Sequence, residues 1–247
     1  MPDLIYGRHP VLEALRAGED VQRLLVARGA QTGGPLADIL TAARERRIRI
    51  DWVDRRELDR LGGVHQGVAA ELRPFAYSDV EDILVRAQAQ GEPPLILALD
   101  AVQDVHNLGS LIRTADAVGA HGILLPERRA AGVTPAVRKA SAGAVAHLPI
   151  AQVTNLTRTL ESLKTQGVWV VGLDMAGQQP FDGYDWRGPT ALVVGSEGKG
   201  LGRLVAETCD VLVNLPMRGH VDSLNAAVAG SIVLYHAWRS RSIAPSD

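Results

Sequence analysis

The chain has 247 residues, of which 46% are hydrophobic and 22% charged, and a formal net charge of −2. That excludes a disordered or fibrous chain and provides core for one large domain or two small ones. The single cysteine, Cys209, excludes an internal disulfide or thiolate metal cluster, and the overall charge does not mark a nucleic-acid binder.

The opening MPDLIYGRHP lacks a basic segment followed by an apolar one, so no signal peptide is expected. The longest apolar run, Ala226–Trp238, is broken by Gly230, Ser231 and His236 and is too short to span a membrane. A cytoplasmic location is the expectation. Periodicity then predicts a helix at Val11–Arg16 with Pro10 near its first turn, a strand at Leu24–Ala27, and a helix at Leu36–Arg47. Ile48–Val53 alternates and Val68–Leu72 reads as a strand, giving a small α/β unit over residues 1–72. Residues 73–94 read as a linker with a short helix, opened by a capping box (Ser78, Glu81) and ended by Gly91–Pro94.

From residue 95 to 247 strands and helices alternate. Strands are expected at Leu95–Leu99, Gly122–Leu125, His147–Ile150, Val168–Leu173, Ala191–Val194 and Val211–Leu215. Helices are expected at Leu108–Val118, Leu156–Thr165 and Leu224–Trp238. Continuous apolar strands between helices imply a mostly parallel sheet covered on both faces, with a ligand crevice beyond the carboxyl ends of its strands.

Three polar motifs fall at those ends. In the first, DAVQDVHNLGSLIRTA (Asp100–Ala115), Asn107 sits where a helix N-cap belongs and Gly119 follows the helix end. Arg113 is either paired in solvent with Asp116 or free to hold an anionic backbone. The second, GSEGKGLG (Gly195–Gly202), fails the Walker pattern because Leu201 follows Gly200, and no dinucleotide fingerprint is present. Glu197 disfavours phosphate, so the loop is either a tight strand-to-helix corner or the wall of a site for a ligand with a positive centre or sugar hydroxyls. In the third, LPMRGHVDSLNAAVAG (Leu215–Gly230), Asp222 or Ser223 can cap the last helix, and Ala226, Ala227, Ala229 and Gly230 allow close packing.

Other features are less specific. Of the 26 basic residues, all but Lys139, Lys164 and Lys199 are arginines, clustered at 44–49, 55–60, 128–129 and 239–241. Arginine suits bidentate phosphate contact, but GC-rich codon usage gives the same count. The seven histidines lack zinc-site spacing, Cys209 reads as a small buried apolar residue, and aromatic residues are too few for a stacking platform.

In this order and spacing the three motifs resemble the SpoU (TrmH-type) RNA ribose methyltransferases of the SPOUT superfamily, over nearly all of residues 95–240. YGRHPVLEAL and HQGVAAEL are similar to the small substrate-recognition domain of the RlmB-type members. The resemblance implies a deep trefoil knot, a feature apolar patterning does not reveal. It also implies S-adenosylmethionine as cofactor, a homodimer with the C-terminal helix at its interface, no metal, and RNA, most of all a guanosine of large-subunit ribosomal RNA, as substrate. It places Gly195, Gly198, Leu215, Met217 and Leu224 at the cofactor, and Asn107, Arg113, Glu197, Ser223 and Asn225 at the catalytic centre. Val105, Leu215 and Ala226–Ala227 depart from the family's common residues, touching packing rather than this polar set. A transfer-RNA methyltransferase of the family and a non-catalytic RNA-binding or ribosome-assembly protein are the alternatives.

Overall fold

A computed structural model describes residues 3–242. The chain divides into two compact units between Ala76 and Tyr77. In the first, β1 (Asp3–Tyr6), β2 (Val21–Ala27), β3 (Arg49–Val53) and β4 (Val68–Leu72) form a sheet ordered β1-β4-β2-β3. β2 and β3 are parallel, and β4 runs antiparallel to both β1 and β2, so β1, β2 and β3 all point one way. Alternation along β2 sends Leu24 and Val26 into one apolar cluster and Leu25 and Ala27 into another. The first cluster is completed by α1 (Arg8–Arg16) and α2 (Pro35–Glu45), the second by Leu58 of α3 (Arg55–Leu61).

Some arginines of the clusters are taken up by this fold. The Arg46 guanidinium donates to the carbonyls of Leu15 (2.7 Å), Gly18 (3.3 Å) and Glu19 (2.6 Å), tying the end of α2 to the end of α1. Arg49 pairs with Asp51 at 2.7 Å.

The second unit opens with α4 (Val80–Gln90), followed by β5 (Leu95–Leu99), α5 (Val105–Ala117), β6 (Gly122–Pro126) and α6 (Pro135–Ala140). Then come β7 (Ile150–Val153), α7 (Leu156–Thr165), β8 (Trp169–Leu173), β9 (Gln179–Pro180) and β10 (Thr190–Val194). The described part closes with α8 (Arg203–Thr208), β11 (Val211–Asn214) and α9 (Ala226–Ser242). The seven strands pair in parallel in the order β7-β6-β5-β10-β8-β11-β9. The mixed α/β class and parallel sheet expected from the apolar pattern are therefore observed. Ile83, Leu160, Leu163 and Val205 from α4, α7 and α8 pack on one face, against Ile96, Ala98, Ala191 and Val193. On the other face a Cβ at Gly230 of α9 would lie 2.8 Å from Leu111 of α5 and 3.1 Å from Val194, so glycine lets the helix settle there.

Several local readings need correction. The helix expected within a linker belongs to the core of the second unit, because Ile83 is fully buried against β6. Its capping box is shifted by one residue, with Asp79 and Asp82 exchanging side-chain and backbone bonds in place of Ser78 and Glu81. The strand expected at His147–Ile150 is Ile150–Val153, after a short 3₁₀ turn at Ala144–Ala146. α6 and α8, six residues each, were not anticipated because they are too short to show a helical period. Ala226, Ala227 and Gly230 are buried within the chain, in the close packing that their small side chains allow. Arg241, of the cluster at 239–241, donates to the carbonyls of Trp186, Pro93, Pro94 and Gly188 at 2.5–3.2 Å. Burial pulls its pKa down to about 10.

Candidate active site

In a parallel sheet the loops beyond the strands' carboxyl ends form the natural crevice, and the three motifs leave β5, β10 and β11 there. The loop after β10 closes on itself. Ser196 and Gly200 exchange two backbone hydrogen bonds, at 3.2 and 3.1 Å, while Gly198 and Gly200 take φ of +75° and +62°. A Cβ at Gly195 would lie 2.2 Å from the Gly200 carbonyl oxygen, so the corner excludes any other residue. Two carboxylates on neighbouring strand ends pin it. The backbone N–H of Gly202 donates to Asp100 (2.7 Å) and that of Leu201 to Asp174 (3.3 Å). The tight corner is therefore real, and Glu197 stands at its tip.

The helix caps differ from expectation in a way that defines the site. Asp104, not Asn107, caps α5, accepting from the backbone of His106 and Asn107. Asn107 thus lies in the first turn with its amide free for another partner. At α9 neither Asp222 nor Ser223 is the cap. Asn225 Oδ1 accepts from the backbone N–H of Ala227 (2.9 Å) and Val228 (3.2 Å). Its Nδ2 donates to Asn107 Oδ1 at 2.9 Å and to the Glu197 carboxylate. Oxygen toward the backbone donors and nitrogen toward two oxygens fix the orientation of this amide. Residues from all three motifs meet at one side chain.

Arg113 and Ser223 stand outside that hydrogen-bonded cluster. Arg113 is exposed, about two turns along α5, and among the described residues it makes no ion pair, with Asp116 or any other group. The next residue, Thr114, shares a hydrogen bond with Ser231 of α9 at 2.8 Å.

Two cavities flank the loop. Gly195, Gly198, Leu215, Met217 and Leu224, the five residues assigned to the cofactor, all line the first, as do Ser223 and Glu197. The sequence reading missed its far wall, Leu173, Asp174 and Met175 beyond β8. The available signal was an acid directly after a predicted strand. Its lining is largely apolar with carboxylates and no lysine or arginine. The second cavity, of about 920 Å³, is lined by Asn107, Glu197, Lys199, Arg128, Arg129 and Asn155, among others. Ser196, Glu197, Gly200 and Ala226 line both, so one loop and one helix start form the partition.

The one cysteine, Cys209, lines neither cavity. Burial pushes the Cys209 thiol up to about 12, and its Sγ–H donates to the Val205 carbonyl. Among the described residues no cluster of three or more His, Cys, Asp or Glu could hold a metal ion, and no helix is long and apolar enough to cross a membrane.

A parallel α/β unit with such a partitioned strand-end crevice has the form of a two-substrate transferase. Comparison with known proteins makes the class specific. Residues 94–235 match the SpoU rRNA Methylase family, and residues 4–78 match the model described as RNA 2′-O ribose methyltransferase substrate binding. A Bacillus subtilis protein, YacO, named for the TrmH family of tRNA/rRNA methyltransferases, is 46% identical over 97% of this chain and 96% of its own length. The AdoMet complex of the SpoU methyltransferase AviRb from Streptomyces viridochromogenes is similar in structure, with a TM-score of 0.67 and 30% identity. That match covers 97% of this chain and 90% of AviRb. An AdoMet-bound rRNA methyltransferase from Sinorhizobium meliloti matches at TM-score 0.64 and 29% identity, over 96% of this chain and 86% of its own. The TrmH/SpoU tRNA modifying enzyme of A. aeolicus, at TM-score 0.56 and 31% identity, covers 66% of this chain and 84% of its own. The chain belongs to the SpoU methyltransferase family and is an RNA methyltransferase.

Proposed function

We propose that the protein transfers the methyl group of S-adenosylmethionine to a ribose 2′-hydroxyl of large-subunit ribosomal RNA, at a guanosine. The observation that carries this reading is the Asn107–Asn225–Glu197 cluster in the partition between the two cavities. The first cavity suits S-adenosylmethionine. Apolar walls fit an adenine and a methionyl chain, carboxylates favour a sulfonium, and no basic residue is present to select phosphate. When bound, that cofactor supplies an electrophilic methyl group. Insertion of β10 between β5 and β8, with its following loop pinned by Asp100 and Asp174, supports the knotted path expected for the family.

The chain's own residues do the rest. The larger cavity receives the target nucleotide, where Arg128, Arg129 and Lys199 offer cations to the adjoining phosphates. Asn107 and Glu197, held by the Asn225 amide, orient the ribose so that the 2′-oxygen points at the partition, and this positioning lowers much of the barrier. A guanidinium scarcely deprotonates in a protein, so Arg113 holds phosphate and polarises the 2′-oxygen rather than taking its proton. Val228, Ile232, Tyr235 and Trp238 form an exposed apolar stripe on α9 that suits pairing with a second copy of the chain. Arg113, one residue from the Thr114–Ser231 bond, then stands near that boundary.

We favour ribosomal over transfer RNA because the rRNA methyltransferase of S. meliloti matches across both units, whereas the tRNA modifying enzyme of A. aeolicus covers 66% of the chain. The first unit, residues 1–76, binds RNA and the second transfers the methyl group. Mapping 2′-O-methylation across ribosomal and transfer RNA, with and without the protein, tests the proposal. Loss at one large-subunit guanosine is expected. Loss on a transfer RNA overturns the ribosomal assignment, and no change anywhere overturns the enzymatic one.

A further inference from the structure

The first unit has its own strand-end crevice. β1, β2 and β3 run in one direction, and each is followed within two residues by an arginine: Arg8 after Tyr6, Arg28 after Ala27 and Arg55 after Val53. All three line one cavity of about 320 Å³, with Gln31 and Gln66 and a backbone floor at Gly29 and Gly67. Among the described residues none of the three guanidiniums has an ion-pair partner, and no carboxylate lines the cavity. Two of them are held in place by backbone. Arg8 Nε donates to the Gln66 carbonyl (3.3 Å) and Arg28 Nε to that of Trp52 (3.2 Å). Tethering through Nε leaves both terminal amino groups of each fork available, the pair that matches two phosphate oxygens.

These arginines differ from the structural ones in the same unit. Arg46 commits both terminal amino groups to three backbone carbonyls, and Arg23 lies between Asp51 and Glu71. Converging cations without counter-charges repel one another, which the fold tolerates where an anion is to neutralise them. Arginine forks and glutamine amides can meet base edges as well as phosphate, and the convergence of three cations with no carboxylate is what favours phosphate here.

We propose that the Arg8–Arg28–Arg55 cavity is a phosphodiester-binding site that grips the RNA backbone. The inference rests on the RNA methyltransferase reading above and adds to it where, and by what chemistry, the first unit holds its substrate. Such contacts fix register without specifying sequence.

The test uses the full chain and an unmodified transcript of large-subunit ribosomal RNA. The variant R8Q/R28Q/R55Q should bind the transcript about tenfold or more weakly at low salt, and its plot of log affinity against log salt should be shallower by about 2, at about 0.7 for each phosphate released. S-adenosylmethionine affinity, measured by calorimetry, should stay at the unaltered value and report an intact second unit. R28Q alone, at an exposed position, guards against misfolding of the triple variant and should lower the slope by about 0.7. R8K/R28K/R55K should retain most of the slope, because lysine keeps the charge, while losing affinity with the fork. Unchanged RNA affinity and salt slope in the folded triple variant overturns the proposal. So does loss of inorganic phosphate binding with RNA held as tightly as before, which identifies a small-anion site instead. Failure of the unaltered chain to methylate any RNA strikes the underlying reading and is distinguishable from both.

Discussion

Both sheets place their chemistry beyond the carboxyl ends of their strands, the smaller with cations alone and the larger with carboxylates at its glycine loop beside the cations Arg128, Arg129 and Lys199. Beyond β1, β2 and β3 the strand ends carry Arg8, Arg28 and Arg55 with no carboxylate lining the cavity. Beyond β5, β8 and β10 they carry Asp100, Asp174 and Glu197, two of them binding loop backbone and the third an amide. Parallel strands supply the location in both cases, and only the residues that follow them decide the ligand. Cations facing a polyanion give grip without sequence, whereas acids and amides around a glycine loop give fixed geometry.

Experiments on the larger sheet can break or sharpen that contrast. The largest effect is expected at Arg113. Arg113→Ala should lower single-turnover methyl transfer by about a hundredfold or more, while calorimetric binding of S-adenosylmethionine persists. Lost cofactor binding would move Arg113 into the first cavity. Asn225→Ala should follow, with transfer reduced about tenfold or more and stability lowered by about 1 kcal/mol, because one substitution removes the α9 cap and the support of Asn107 and Glu197. A variant with the cap lost but unaltered turnover would separate the fold from the chemistry.

Arg241→Met tests an arginine that serves structure alone. It strips four carbonyls of their donor and should cost about 2 kcal/mol, read as a lower midpoint of thermal unfolding, with the salt dependence of RNA binding unchanged. A changed salt slope would return Arg241 to the phosphate-binding class.

The smallest effect is a pH dependence. His121 accepts from the Leu95 N–H at 2.9 Å through Nδ1, and burial depresses its pKa below the ordinary value. With a depressed folded pKa the unfolded chain takes up the proton first. The stability present above pH about 6.5 should therefore decline as pH falls below it, and His121→Gln should flatten that decline in thermal melts.

Much of the larger unit was legible in its apolar runs: Leu95–Leu99 and Leu156–Thr165 are observed with the ends expected. Polar capping was less legible, because DVHN and VDSLN each offer several side chains able to cap, and only three-dimensional partners choose Asp104 and Asn225. The consequence was substantive, since Asn107 as a cap would have been occupied locally rather than free to meet a residue 118 positions away. The motifs nominated the lining of the first cavity apart from Leu173–Met175, which carry no glycine or cap signal. The arginine count was ambiguous for a physical reason. Arg46, Arg241 and Arg28 have the same side chain, and only the number of carbonyls around each, three, four and one, distinguishes anchor from ligand grip.

The loop side of the partition between the two cavities is a single turn of chain, Ser196 to Gly200, closed by its own pair of hydrogen bonds. If the two cavities hold methyl donor and acceptor as proposed, the residues they share, Ser196, Glu197, Gly200 and Ala226, set how far apart the two are held. Adding one glycine between Gly198 and Gly200 would lengthen the wall and shift Glu197 against the Asn225 amide. Methyl transfer should then fail while each substrate, assayed alone, still binds.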